Sequence, residues 1–247
     1  MEDIIAGKNP VLEAMKSNRE INKIWISEGS QKGSMQSIIN SAKEKNIIVQ
    51  FVPRKKIDEL ANGVNHQGVC AQVAAYKYYE LDDLFKKAES ANETPFFLIL
   101  DELEDPHNLG SIMRTADACG VHGIIIPKRR SVGLTTTVAK ASTGAIEHIP
   151  VVKVTNIART MDELKEKGIW IVGTDASAKI DYRKMDGQLP IALVIGSEGK
   201  GIGRLNKQKC DFLIHLPMRG HVTSLNASVA AALLMYEVYR HRNPIGE

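Results

Sequence analysis

The chain has 247 residues, 43% of them hydrophobic and 25% charged, with a formal net charge of +3. That composition is of a folded globular protein and excludes disordered and fibrous classes, and no run approaches the ~20 apolar residues that span a bilayer. The first residues, MEDIIAGKNP, are acidic where a secretory leader needs basic ones, so a cytoplasmic protein with no membrane contact is expected.

In chain order, VLEAMKS reads as helix, INKIWIS as strand, SMQSIINSAKEK as helix, IIVQFVP as a buried strand, KKIDELAN as helix and HQGVCAQVAAYKY as a returning strand. Residues 1–77 should therefore form a small α/β domain. ELDDLFKKAESANETP, acidic and closing on Ser, Asn and Pro, reads as a linker over residues 78–94. From Pro95 to residue 247, apolar strands (FFLIL, GIIIP, IPVVKV, IWIVG, IALVIG, DFLIHLP) alternate with helical stretches. Strands this apolar on both faces belong to a parallel sheet covered by helices, with a ligand expected at their carboxyl ends.

Charge is uneven. Residues 1–79 hold 11 Lys/Arg against 8 Asp/Glu, residues 80–94 hold 2 against 5, and residues 95–247 hold 19 against 16. Two local triplets, Arg54, Lys55, Lys56 and Lys128, Arg129, Arg130, are either solvated loops or phosphate contacts. Cys70, Cys119 and Cys210 are scattered with no C-x-x-C pair. They read as buried thiols, with a reactive Cys119 as the alternative. The seven histidines show no H-x-x-x-H or H-E-x-x-H spacing, so no metal site is expected.

Three segments carry chemistry. In FFLILDELEDPHNLGSIMRTADACG a buried strand meets a helix that Asn108 could cap, and Arg114 lies in a mostly apolar stretch. Its guanidinium must either pair with Asp101, Glu102 or Asp117 or face an anionic ligand. In IALVIGSEGKGIG four glycines in eight residues follow a strand. The spacing fits neither G-x-G-x-x-G nor a P-loop, which leaves a tight turn holding Glu198. In DFLIHLPMRGHVTSLNASVAAALLMY a strand and polar loop lead into a helix running from about Asn226 to about Arg240. That helix is apolar enough to lie in a core or a subunit contact, and Ser224 and Asn226 stand at its start.

Together, N-x-G-x-x-x-R at Asn108, Gly110 and Arg114, then IGSEGKGI, then LPMRGHVTSLNASVAAA, resemble the three ordered motifs of the SpoU/TrmH family of RNA ribose 2'-O-methyltransferases. AGKNPVLEA and NHQGVCAQV are similar to that family's substrate-binding domain, which is related to the L7Ae/L30e fold. Within the family the likeness is to bacterial large-subunit rRNA guanosine 2'-O-methyltransferases. The resemblance implies an α/β fold of two parts, an L30e-like domain and a parallel-sheet domain with a deep trefoil knot around 196–203 and 216–226.

It also implies S-adenosylmethionine as methyl donor, RNA as partner (rRNA before tRNA) and a homodimer through the C-terminal domain. By position, Thr174, Ile195, Gly196, Glu198, Gly199, Leu216, Met218, Leu225 and Asn226 would hold the donor. Arg114, Glu198, Ser224 and Asn226 would be catalytic, with Arg114 of one subunit acting at the donor held by the other. RNA contacts would fall to Asn108, Arg114, Arg54, Lys55, Lys128 and Arg129. A guanidinium rarely gives up its proton, so Arg114 suits the stabilisation of a developing alkoxide better than the role of base. A tRNA methyltransferase of the same family, or a non-catalytic RNA-binding factor, remains the alternative.

Overall fold

A computed structural model describes residues 3–16, 21–29, 35–73, 76–221 and 224–246. The chain divides into two compact units, Met1–Lys77 with Leu134–His148, and Tyr78–Gly133 with Ile149–Glu247.

The first unit begins with β1 (Asp3–Ala6), α1 (Lys8–Lys16), β2 (Ile21–Ser27), α2 (Gln36–Glu44), β3 (Ile48–Val52), α3 (Arg54–Ala61) and β4 (Val69–Val73). Its four strands lie in the order β1-β4-β2-β3, and only β2 and β3 run parallel. Side chains alternate across a strand. Ile24, Ile26, Val69 and Ala71 pack with Val11 and Ala14 of α1 and Ile38 and Ala42 of α2, while Trp25 and Cys70 pack with Ile57 and Ala61 of α3. The strand read as buried from IIVQFVP is instead an edge: β3 pairs with β2 alone, and Ile48 and Phe51 are 62% and 40% exposed. A short apolar run has the same sequence whether one or both of its sides are covered.

The chain continues through α4 (Leu81–Ala91), β5 (Phe96–Asp101), α5 (Pro106–Ala118), β6 (Gly123–Pro127), α6 (Thr136–Ser142), β7 (Val151–Val154), α7 (Ile157–Glu166) and β8 (Trp170–Thr174). Then come β9 (Ile180–Asp181), β10 (Ile191–Gly196), α8 (Arg204–Lys209), β11 (Phe212–His215) and α9 (Ala227–Arg242). Of these only α6 belongs to the first unit, where His148 nearby pairs with Glu13 of α1 at 3.5 Å. The second unit is a seven-stranded sheet ordered β7-β6-β5-β10-β8-β11-β9, parallel at every pairing. Phe97, Ile99, Ile125, Ile171, Ala192 and Val194 form one side of its core with Leu84 of α4 and Met161 and Leu164 of α7. Residues 78–94 are part of this unit: Tyr79 bridges to Val152, and α4 buries Leu84 and Ala88.

The amino ends of the central strands are fastened by groups from distant parts of the chain. Arg242, the last residue of α9, donates to the carbonyls of Thr94, Pro95, Gly187 and Leu189 and lies over the Phe96 ring. Buried His122 accepts from the Phe96 amide at 3.1 Å through Nδ1, so its Nε2 carries the proton shared with Glu93 at 3.0 Å. The opposite ends are freer.

Candidate active site

The neighbouring strands β10, β8 and β11 end on one side of the sheet, and the loops leaving them wall a cavity of about 900 Å³. At the end of β10 the chain folds back on itself: the Gly201 amide donates to the Ser197 carbonyl at 2.9 Å, with Gly199 and Gly201 at φ +79° and +68°. Gly196 is demanded by this turn, since a Cβ there would lie 2.1 Å from the Gly201 carbonyl carbon and 2.3 Å from the Ile202 nitrogen. Asp101, buried at the end of β5, accepts from the Gly203 amide at 2.8 Å and so ties the turn to the next strand. No ion pair joins it to Arg114 among the described residues.

Thr174, Ile195, Gly196, Glu198 and Gly199 line the cavity from β8 and the β10 turn. Leu216, Met218, Ser224 and Leu225 line it from the segment before α9. Thr174 donates its hydroxyl to the Val194 carbonyl at 3.2 Å, which holds β8 to β10 at the cavity floor. Val222 and Thr223 lie outside the described residues.

At the rim, three side chains from three separate segments meet. Glu198 Oε1 accepts from Asn108 Nδ2 at 3.0 Å, from Asn226 Nδ2 at 2.6 Å and from the Ala227 amide at 3.3 Å. Asn226 Nδ2 also donates to Asn108 Oδ1 at 3.0 Å. Asn226 Oδ1 meanwhile caps α9 by accepting from the Ser228 and Val229 amides. One asparagine thus starts the helix and positions the carboxylate. Glu198 Oε1 is fully used, and Oε2 has no partner among the described residues.

Two expectations change. Asn108 does not cap α5; it is 5% exposed, and both ends of its amide are engaged in this network. Asp105 caps α5 instead, accepting from the His107 amide at 2.8 Å, because Pro106 fixes the first helical position. Arg114 makes no hydrogen bond or ion pair with Glu198, Ser224 or Asn226 among the described residues. At 100° per residue, its place six residues after Asn108 turns it about 120° away from the network face. It is exposed and has no acidic partner among the described residues.

Arg54 and Lys55 are exposed in the first turn of α3, where the helix dipole disfavours cations. Lys128 and Arg129 are exposed after β6. Cys119 is buried, which pushes its thiol up to about 11 and leaves no reactive thiolate near neutral pH.

Two cavity residues escaped the sequence reading. The Lys207 side chain, with help from Ser177, holds the Asp175 carboxyl below the usual carboxylate range. His215 has a buried Nδ1 without a partner among the described residues. Both stand at or just after the end of an apolar strand, a position that marks them in retrospect.

Known proteins are similar to this chain in sequence and fold. The profile described as the SpoU rRNA Methylase family matches residues 95–236, and that of RNA 2'-O ribose methyltransferase substrate binding matches residues 4–79. The chain belongs to the SpoU family. YacO of Bacillus subtilis (strain 168), described as a TrmH family tRNA/rRNA methyltransferase, is 71% identical over 99% of this chain and 98% of its own. Among solved structures, the SpoU methyltransferase AviRb of Streptomyces viridochromogenes in complex with AdoMet matches with a TM-score of 0.82 and 25% identity, covering 98% of this chain and 90% of its own. An AdoMet-bound rRNA methyltransferase of Sinorhizobium meliloti matches with the same score and identity over 97% of this chain and 87% of its own. SpoU membership makes the chain an RNA methyltransferase that uses S-adenosylmethionine.

Proposed function

We propose that the protein methylates a ribose 2'-hydroxyl of ribosomal RNA, and that it acts as a homodimer. The observation that carries this reading is the junction of Asn108, Glu198 and Asn226, one residue from each motif, at the rim of the cavity. The cavity fits the donor. Its volume is within the range of small-molecule sites, about 300–1,000 Å³. Ile195, Leu216 and Leu225 offer apolar walls, and the Gly196–Gly201 turn offers main chain where side chains would obstruct. Bound there, S-adenosylmethionine supplies an electrophilic methyl group on a cationic sulfur.

The chain's own residues supply alignment and charge. Glu198 Oε1 is held by three donors, which leaves Oε2 as the oxygen that orients a hydroxyl or receives its proton. Orientation of this kind can be worth roughly 7–11 kcal/mol. Ser224 is exposed at the same wall, within the segment that Asn226 anchors. Arg114 suits stabilisation of a developing alkoxide or an adjacent phosphate.

Because Arg114 faces away from its own chain's network, a second copy is needed to complete the site. Val229, Leu233 and Tyr236 of α9 are 47%, 43% and 53% exposed at helical spacing, and α5 packs against α9. An apolar stripe of this kind is suited to a self-complementary contact. Ribosomal RNA is favoured over tRNA by the likeness to the Sinorhizobium meliloti rRNA enzyme across both units.

The test is methyl transfer from labelled S-adenosylmethionine to purified rRNA and tRNA, with the product mapped by nuclease digestion and mass spectrometry. A 2'-O-methyl nucleotide in rRNA is expected; transfer only to tRNA, or to a base, would overturn the assignment. Mixing inactive Arg114→Ala with inactive Glu198→Gln should restore part of the activity through mixed dimers, and a mixture that stays inactive would overturn the shared site.

A further inference from the structure

The loop after β6, residues 128–133, is pinned at several points. The Lys128 amide donates to the Val154 carbonyl at 2.8 Å, and the Val132 amide donates to the Leu103 carbonyl at 2.9 Å. Arg130, in the left-handed region at φ 55°, donates to Glu102 at 2.9 Å. At the loop's end Gly133 rests on two side chains: a Cβ there would lie 2.7 Å from Tyr78 Oη and 3.1 Å from Lys153 Nζ. The Lys153 ammonium lies 4.5 Å from the centre of the Tyr78 ring. Tyr79 bridges to Val152, which keeps the neighbouring Tyr78 beside β7.

This frame displays cations without counter-ions. Lys128 and Arg129 are exposed, and neither they nor Lys153 has an acidic partner among the described residues. By contrast, Lys165 pairs with Asp211, Lys167 with Asp82 and Lys209 with Asp162. Arg130, the third cation of the triplet, is the one spent on holding the loop. Holding like charges together on an ordered loop is unfavourable on its own and becomes favourable when an anion covers them.

Register puts the cations in one place. Pro127 lies opposite Val154 and Ile126 opposite Lys153, so Lys128 leaves β6 beside the residue that follows Lys153. This corner is at the same end of the sheet as the cavity, and β6 is two strand spacings, about 10 Å, from β10.

We propose that Lys128, Arg129 and Lys153, with Tyr78 holding Lys153 in place, form a phosphate-binding step for the RNA strand flanking the target nucleotide. The inference rests on the RNA-methylating reading and adds to it a second point of contact and a direction for the strand, from the cavity mouth toward β7.

The test uses the full chain and a single-stranded RNA of about 12 nucleotides, within the usual span of such sites. Its affinity is measured against salt concentration for the wild type, for Lys128→Gln/Arg129→Gln and for the triple variant with Lys153→Gln. The double variant alters only exposed, unpaired side chains, and its folding is checked by melting. Lys86→Gln/Lys167→Gln/Lys209→Gln removes the same three charges elsewhere.

The triple variant is expected to bind about 10-fold or more weakly, with a log–log salt slope reduced by roughly 2, from about 0.7 per lost phosphate contact. The control should stay within about 2-fold of wild type. Equal affinities and slopes for wild type and triple variant, or an equal loss in the control, would overturn the proposal. S-adenosylmethionine binding by the same proteins separates the two readings: wild type that fails to bind the donor overturns the proposed function alone, whereas donor binding with an unchanged RNA slope in the triple variant overturns the phosphate step alone.

Discussion

The two ends of the seven-stranded sheet are built by opposite rules. At the amino ends polar groups are consumed by the fold: Arg242 satisfies four carbonyls, His122 joins the Phe96 amide to Glu93, and Lys165 pairs with Asp211. Even the half-exposed aromatics there, Trp170 and Phe212, stack on each other at 5.4 Å. At the carboxyl ends capacity is left over. Among the described residues Glu198 has a spare oxygen, His215 a bare Nδ1, and Lys128 and Arg129 no counter-ions, and the chain spends three glycines on one tight turn. The first pattern is what stability requires, and the second is affordable only where a ligand completes it.

Substitutions at the two ends should therefore separate turnover from stability. The largest effect is expected for Asn226→Ala, which removes donors from Glu198 and the cap from α9: turnover should fall about 100-fold or more while stability falls by only about 1 kcal/mol. Steady-state kinetics and denaturant melts on one preparation would check the pair. Arg242→Ala should do the reverse, costing about 3 kcal/mol through carbonyls left without a donor, with S-adenosylmethionine affinity of the folded protein unchanged. An affinity loss matching the stability loss would break the contrast.

Asn108→Ala keeps two of the three donors to Glu198 and should lower kcat about 10-fold with little change in KM for RNA. If Asn108 contacted RNA directly, KM would rise instead.

The smallest effect concerns pH. Burial, outweighing the hydrogen bond to Glu93, holds His122 below its ordinary value of 6.5 in the folded protein. The unfolded chain therefore binds the proton first on acidification. Stability from neutral His122 is fully present above about pH 6.5 and declines as pH falls toward the folded value. His122→Gln should flatten this part of the stability profile in urea melts taken across pH 5–7, and an unaltered slope would remove His122 from the account.

Much of the second unit could be read from the chain because its strands are apolar on both faces and its helices start with recognisable chemistry. The start of α9 at Asn226 is an example, since an asparagine before an alanine-rich run has a local reason to cap it. The strand order, with β10 between β5 and β8, has no local cause and appears only when the chain is folded. Short pieces were also invisible: β9 has two residues and carries no period. At the site, Glu198 and Asn226 stood out through their motifs, but the role of Asn108 depended on which residue began α5. Asp105 and Pro106 moved that start three residues upstream and turned Asn108 inward.

The central claim, that the carboxyl ends of the strands hold the methyl donor while the amino ends hold the fold, is tested most directly by titrating S-adenosylmethionine calorimetrically into wild type, Leu225→Trp and Arg242→Ala. Leu225→Trp would fill the cavity lined by Leu216, Ile195 and the glycine turn. Saturable binding by wild type and by folded Arg242→Ala, lost in Leu225→Trp, is the expected result. Equal binding by wild type and Leu225→Trp, or loss of binding in folded Arg242→Ala, would contradict the account.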